Sequence, residues 1–284
     1  MRPDVDDLQA FYASRQGQLA RRLMHHQVKA LWPDLAGCNV LGFGYAAPLL
    51  TGLDAAARAT VALMPDQQGV VRWPNDERCR AALVREDELP LADGSIDRVL
   101  LVHALECCNN VPRLLREVWR VLADGGRLIA IVPNRRGLWC LSERTPFGHG
   151  QPYSAAQLQR TLGGHLFTAC AERTALFLPP TRSRLFLRLA IPVERLGLSF
   201  ARQFAGVVLI EAQKQIYVGT PLPALERAGR RRYLPVTDGL AAARTVAEVD
   251  LGDRSRGRSA RVVPLLPRRL RSGSQKSAQS PSGG

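Results

Sequence analysis

Residues 88–134 read ELPLADGSIDRVLLVHALECCNNVPRLLREVWRVLADGGRLIAIVPN, and the periodicities inside this stretch set the architecture. The runs DRVLLVHAL (97–105) and GRLIAIVP (126–133) are apolar on both faces, the pattern of strands buried on each side in a parallel sheet. Between them Val111, Leu114, Leu115, Val118, Val121 and Leu122 recur at helical spacing, and Gly125-Gly126 is expected to close that helix. Strand, helix and strand joined in this way make a right-handed crossover unit. Asp93-Gly94 supplies a turn before the first strand. Asp97, at the strand entrance, is expected to cap or pair there rather than do chemistry.

Working outward, the same kind of run recurs upstream as NVLGF (39–43), ATVALM (59–64) and AALVR (81–85). Downstream, HLFTACAERTALFLPP (165–180) and AGVVLIEAQKQIYVG (205–219) flank a helical stretch that Pro192 should kink. The count predicts an α/β fold with a seven-stranded, mostly parallel sheet and helices on both faces. Residues 1–36 form a helical lead-in, with Leu8, Phe11, Tyr12, Leu19, Leu23, Val28 and Leu31 at helical spacing. Ser154, followed by Gln157, predicts a capping box ahead of AAQLQRTL. The crowded segment NRRGLWCLSERTPFGHGQPYS, 134–154, is expected to be a structured loop over a site.

Composition narrows the class. At 284 residues and 46% hydrophobic content, the chain can bury a sizeable core. It carries no apolar run long enough to span a membrane and no secretory leader pattern, so a cytoplasmic location is expected. The six cysteines show no CxxC pairing, which argues against a zinc site and predicts small core residues in a reducing compartment; no metal site is expected. The net charge of +14 is concentrated late: from Arg230 onward twelve Lys or Arg face four Asp or Glu. The expected organisation is therefore a domain over 1–235 and a disordered basic tail over 236–284, solvated or able to contact nucleic acid electrostatically.

The ordered features of 88–134 resemble the class I S-adenosylmethionine-dependent methyltransferases, in the branch called type 11. LPLADGSIDRV looks like that family's entry into its fourth strand, HALE like the site-lining turn after it, and LLREVWRVLADGGRLIAIVPN like its next helix and fifth strand. The resemblance extends over about 37–134 and implies a Rossmann-like fold, S-adenosyl-L-methionine as cofactor and an unidentified, small-molecule methyl acceptor. In such sheets ligands lie at the carboxyl ends of the strands. The cofactor-binding positions implied here are Gly42, Gly44, Tyr45, Ala46, Met64, Glu86, Asp87 and His103.

This chain departs from the family pattern at two of those places. NVLGFGYAAPLL has Gly42 where the family has an acid, keeps Gly44, and puts Ala46 and Pro48 where further glycines stand; Pro48 suits the first turn of a short helix. Leu63-Met64 occupies the end of the second strand, where the family uses an acid on the ribose. A non-catalytic binding or scaffold protein with degenerate cofactor motifs is the competing expectation. A nicotinamide enzyme is disfavoured, since both GxGxxG and the acid after strand two are missing. On the acceptor side, His149 and Tyr153 of TPFGHGQPY are the candidate proton-handling residues. His103 either lines the crevice or packs under the loop. Arg135-Arg136 with Trp139 is either a platform for a planar acceptor or a solvated rim.

Overall fold

The computed structural model describes residues 2–74, 78–181, 194 and 202–216. Two helices, α1 (Val5–Ala13) and α2 (Arg15–Leu31), precede the sheet. The sheet elements and their helices then follow as β1 (Asn39–Gly44), α3 (Ala47–Leu50), β2 (Ala59–Pro65), β3 (Ala81–Val84) and β4 (Ile96–Val102). After these come α4 (Val111–Val121), β5 (Leu122–Pro133), α5 (Ala155–Gly163), β6 (Phe167–Ala175) and β7 (Val207–Lys214). Strand order across the seven-stranded sheet is β3-β2-β1-β4-β5-β7-β6. The pairs β2·β3, β1·β2, β1·β4 and β4·β5 are parallel, whereas β7 runs antiparallel to both β5 and β6. Strand order reverses between β1 and β4, so the natural ligand crevice lies at their carboxyl ends.

The central strands β1, β4, β5 and β7 bury both faces along most of their length, which is why their apolar runs are continuous, whereas the edge strands β3 and β6 are largely exposed. On one face Leu41, Phe43, Val99 and Leu101 pack with Leu114, Leu115 and Val118 of α4 and Leu158 of α5. On the other, Val40, Leu100, Val102 and Ile129 pack with Leu8 of α1, Met24 and Val28 of α2, and Leu50 of α3. Helices thus cover both faces, as the pattern predicts. All seven expected strands are present within a few residues, and the capping box at Ser154 and Gln157 forms. The Asp97 carboxylate accepts a hydrogen bond from the Asn39 amide at 2.8 Å, tying the start of β4 to the start of β1.

Two expectations need correction. The helix after β4 ends at Val121, not at Gly125-Gly126, because Leu122 is already extended and pairs with Ile96. The next ladder pair is Arg98 with Arg127, so Gly125, at φ +74°, shapes an irregularity within β5. The helical lead-in consists of two helices, divided where Ser14 turns extended and accepts the Gly17 amide as the N-cap of α2. The cysteines are free but not core residues: Cys79 and Cys170 are exposed, and Cys38, Cys107, Cys108 and Cys140 are partly buried. The kinked helix around Pro192 and the basic tail fall outside the described residues. No helix among the described residues is long and apolar enough to cross a membrane.

Candidate functional site

The loops that follow β1, β2, β3 and β4 converge at the carboxyl edge of the sheet. Gly44, at φ +82°, adopts a left-handed conformation that a side chain would strain, and a Cβ there would lie 2.2 Å from the carbonyl oxygen of Val102. The next amide, Tyr45 N–H, donates to that same oxygen at 2.8 Å. Gly44 is therefore required by the close approach of β4. Gly42 has a packing reason too, since a Cβ would meet Leu50 at 2.5 Å and Ala46 at 2.8 Å. Tyr45 and Ala46 are buried, Pro48 stands in the first turn of α3, and Met64 is fully buried with its sulfur accepting from the Val71 amide.

His103, directly after β4, sits at φ +50°, an uncommon conformation for a residue with a side chain. It is 1% exposed, beneath α1 and the loop that carries Phe147, whose ring lies 4.9 Å away between centroids. Its Nδ1 is 3.2 Å from Glu106 Oε1, and its Nε2 is 2.9 Å from the Tyr12 hydroxyl of α1. Glu106 Oε2 is buried and makes no hydrogen bond. Burial, reinforced by Tyr45 and Glu106, pushes the Tyr12 hydroxyl well above its ordinary value, so it stays protonated. Tyr12 also stacks on Tyr45 at 5.5 Å.

Beyond β3, Glu86 and Asp87 have different partners. Asp87 pairs with Arg85 at 3.1 Å and Arg113 at 3.2 Å, and the Arg85 hydrogen bond holds its carboxyl below the ordinary range. Glu86 pairs with Arg2 and accepts from the Cys108 thiol at 3.2 Å. Arg2 also donates to the Cys107 carbonyl at 3.1 Å, while its Nε and Nη1 are buried without a partner. Burial pushes the Cys107 and Cys108 thiols up to about 12. Glu86 and Asp87 line a cavity of about 420 Å³ with Asp66, Asn109 and Arg113. Gln68, three residues past β2, is 1% exposed, and neither polar atom of its side chain is hydrogen-bonded.

The acceptor-side candidates are not brought together. His149 lines a cavity of about 660 Å³ with Asp7, Phe11, Arg15, Glu143 and Arg144. Tyr153 lines a different cavity of about 250 Å³, with Arg135, Gln157 and Arg160. Burial, with Glu106 and Cys108 nearby, raises the Tyr153 hydroxyl. Trp139 is not a platform: it is buried and donates to the Leu178 carbonyl at 2.7 Å. Sequence reasoning missed Arg2 and Gln68. A lone Arg near a chain start and a Gln in a polar loop carry no periodic signal; only the fold places them at the crevice.

Residues 37–130 match a family described as "Methyltransferase domain". A probable S-adenosylmethionine-dependent methyltransferase of Mycobacterium tuberculosis is 36% identical over 104 residues, covering 35% of this chain and 35% of that protein. The uncharacterized protein YafS of Escherichia coli is 30% identical over 113 residues, covering 40% of this chain and 43% of its own length. The match thus spans less than half the length of the curated relatives. Among solved structures, a possible histamine N-methyltransferase of Thermotoga maritima aligns with a TM-score of 0.53 at 15% identity, covering 75% of this chain and 96% of that one. A chain from the complex of the Haloferax volcanii Trm112 methyltransferase activator with its methyltransferase aligns at 0.54 and 16% identity, covering 74% of this chain and 98% of that one. Both likenesses concern the fold.

Proposed function

Because residues 37–130 match a methyltransferase domain, we propose that the protein is a class I methyltransferase that transfers a methyl group from S-adenosylmethionine to a small-molecule acceptor. The observation that carries the proposal is the donor and acceptor set at the carboxyl edge of the sheet. Buried side-chain atoms of Gln68 and Glu106 lack hydrogen-bond partners there, beside the tight Gly44-Tyr45 turn. Such groups are costly unless something pairs with them. An amide and carboxylates suit the hydroxyls and amino groups of an adenosyl amino acid, so the residues fit that cofactor.

In this reading Gly44, Tyr45 and Ala46 form the first loop, and Gly42 and Met64 shape its floor. Gln68 takes over the role of the acid missing after β2. Glu86 and Asp87 serve the base end, and His103 with Glu106 closes the site at β4. When bound, the cofactor supplies an electrophilic methyl on a sulfonium sulfur, so the protein's task is in-line placement and exclusion of water. The His149 cavity, about 660 Å³, has the size of a small-molecule site. His149 receives the proton when the acceptor atom carries one; Tyr153, in its separate cavity, orients the loop that holds His149.

The test is calorimetric titration with S-adenosylhomocysteine, followed by isotope transfer from labelled S-adenosylmethionine into a metabolite extract. Binding and a labelled product are expected. No binding at millimolar ligand overturns the proposal and leaves the non-catalytic binding protein standing. Gln68→Leu should weaken binding about tenfold, by loss of a buried hydrogen bond worth ~1–3 kcal/mol.

A further inference from the structure

We propose that the segment from Arg2 to Ala13 is a strap that competes with the cofactor for the crevice and must leave its contacts for S-adenosylmethionine to enter. The inference rests on the methyltransferase reading above. This one segment touches the loop after each of the four consecutive parallel strands. At β1, Tyr12 stacks on Tyr45. At β2, the Val5 amide donates to the Gln68 carbonyl at 2.8 Å. A Cβ on Gly69 would come within 2.7 Å of the Val5 side chain, so the two surfaces fit closely. At β3, the Arg2 guanidinium pairs with Glu86, and at β4 it donates to the Cys107 carbonyl while Tyr12 reaches His103.

These contacts engage the residues that would hold the cofactor, yet they serve them incompletely. Buried atoms of Arg2, Gln68 and Glu106 are left without partners along the contact. A segment that covers a polar site without satisfying it is held less firmly than its buried area suggests, since every unpaired group subtracts from its binding. The chain also has an elbow at which the strap can swing. Ser14 is extended between α1 and α2, so one helix can rotate while the other stays packed. At the elbow Gly17 abuts α1 so tightly that a Cβ would sit 2.0 Å from the Phe11 carbonyl oxygen and 2.7 Å from the Tyr12 Cα.

The elbow provides a variant that loosens the strap without altering any crevice residue. Gly17→Ala drives backbone against backbone, and Arg2→Ala with Tyr12→Phe removes the strap's polar contacts. With a competing strap, the measured dissociation constant is the intrinsic one divided by the open fraction, so opening the strap tightens ligand binding. S-adenosylhomocysteine is titrated into the full-length protein and both variants, each first shown to be folded by circular dichroism and cooperative melting. Amide exchange of residues 5–13 is followed with and without the ligand.

The expected result is about tenfold tighter binding by both variants, and ligand-induced loss of protection at Val5 and through α1 in the unmutated protein. Equal or weaker binding by both variants, with unchanged or increased α1 protection, overturns the strap while leaving the methyltransferase reading intact. Absence of binding by all three proteins at millimolar ligand overturns both.

Discussion

His103 concentrates the tension of this fold in one residue. Its left-handed backbone costs of order 1–3 kcal/mol, and its ring survives burial because both nitrogens have partners, Tyr12 and Glu106. Removing the Tyr12 hydroxyl leaves one ring nitrogen buried and unpaired, so Tyr12→Phe should destabilise the protein by about 1–3 kcal/mol, read from urea midpoints at constant slope. A stability unchanged within error would mean that the Tyr12–His103 hydrogen bond contributes nothing net to the fold. The cysteines offer a check on the same microenvironment. Cys79 is exposed, and backbone hydrogen bonds at Ala81 and Trp73 hold its thiol below the ordinary value, whereas burial lifts Cys107 and Cys108 to about 12. Because the thiolate is the nucleophile, a disulfide reagent at neutral pH should label Cys79 first and spare Cys107 and Cys108 until the protein unfolds. None of these neighbourhoods was legible beforehand. Cysteine spacing says nothing of burial, which depends on which strand edge and which loop each residue reaches.

At the scale of elements, α4 shows how a crossover helix is locked over the sheet. Arg120, near its end, bonds Glu117, Asp93 and the carbonyls of Leu89 and Leu91, and Glu117 accepts the Leu89 amide. The Arg120 hydrogen bond holds the Glu117 carboxyl below its ordinary 4.5. A depressed carboxyl stabilises the fold fully above its unfolded value, and that contribution fades as pH falls through the lower folded value. Glu117→Gln should therefore flatten the part of the acid-unfolding curve below pH 4.5 and leave the curve's neutral shape alone, as followed by circular dichroism. The strands and α4 could be read from sequence because two-faced burial writes continuous apolar runs, and one-faced burial writes a 3.6-residue period. The end of α4 could not. Gly125-Gly126 reads as a helix stop, whereas the ladder from Leu122 to Arg127 claims the glycines for an irregularity inside β5. Pairing across the sheet decided the boundary, and pairing is not a local property.

The whole molecule attaches its two N-terminal helices in different ways. α2 buries Met24 and Val28 in the core, and Trp32 at its end donates to Glu211 of β7, which also pairs with Arg127 of β5. It is anchored to the antiparallel half of the sheet by apolar burial and a satisfied buried polar group. α1 also buries Val5, Leu8 and Tyr12 in that core, but it rests on the carboxyl edge of the parallel half, where Arg2, Gln68 and Glu106 are short of partners, as Gln16 and His25 of α2 are elsewhere. The sequence showed both stretches as amphipathic helix, and amphipathicity names a buried face without saying what covers it. The difference predicts two opening regimes. Local openings exchange amides with little dependence on denaturant, whereas global unfolding exposes surface in proportion to denaturant sensitivity. In native-state exchange across sub-denaturing urea, amides of Ala20 to Val28 should show the same slope as those of β4 and β5. Amides of Leu8 to Tyr12 should exchange faster and with a slope near zero. A shared steep slope for both helices would make α1 part of the cooperative core, and cofactor entry would then require global loosening rather than movement at the Ser14 elbow.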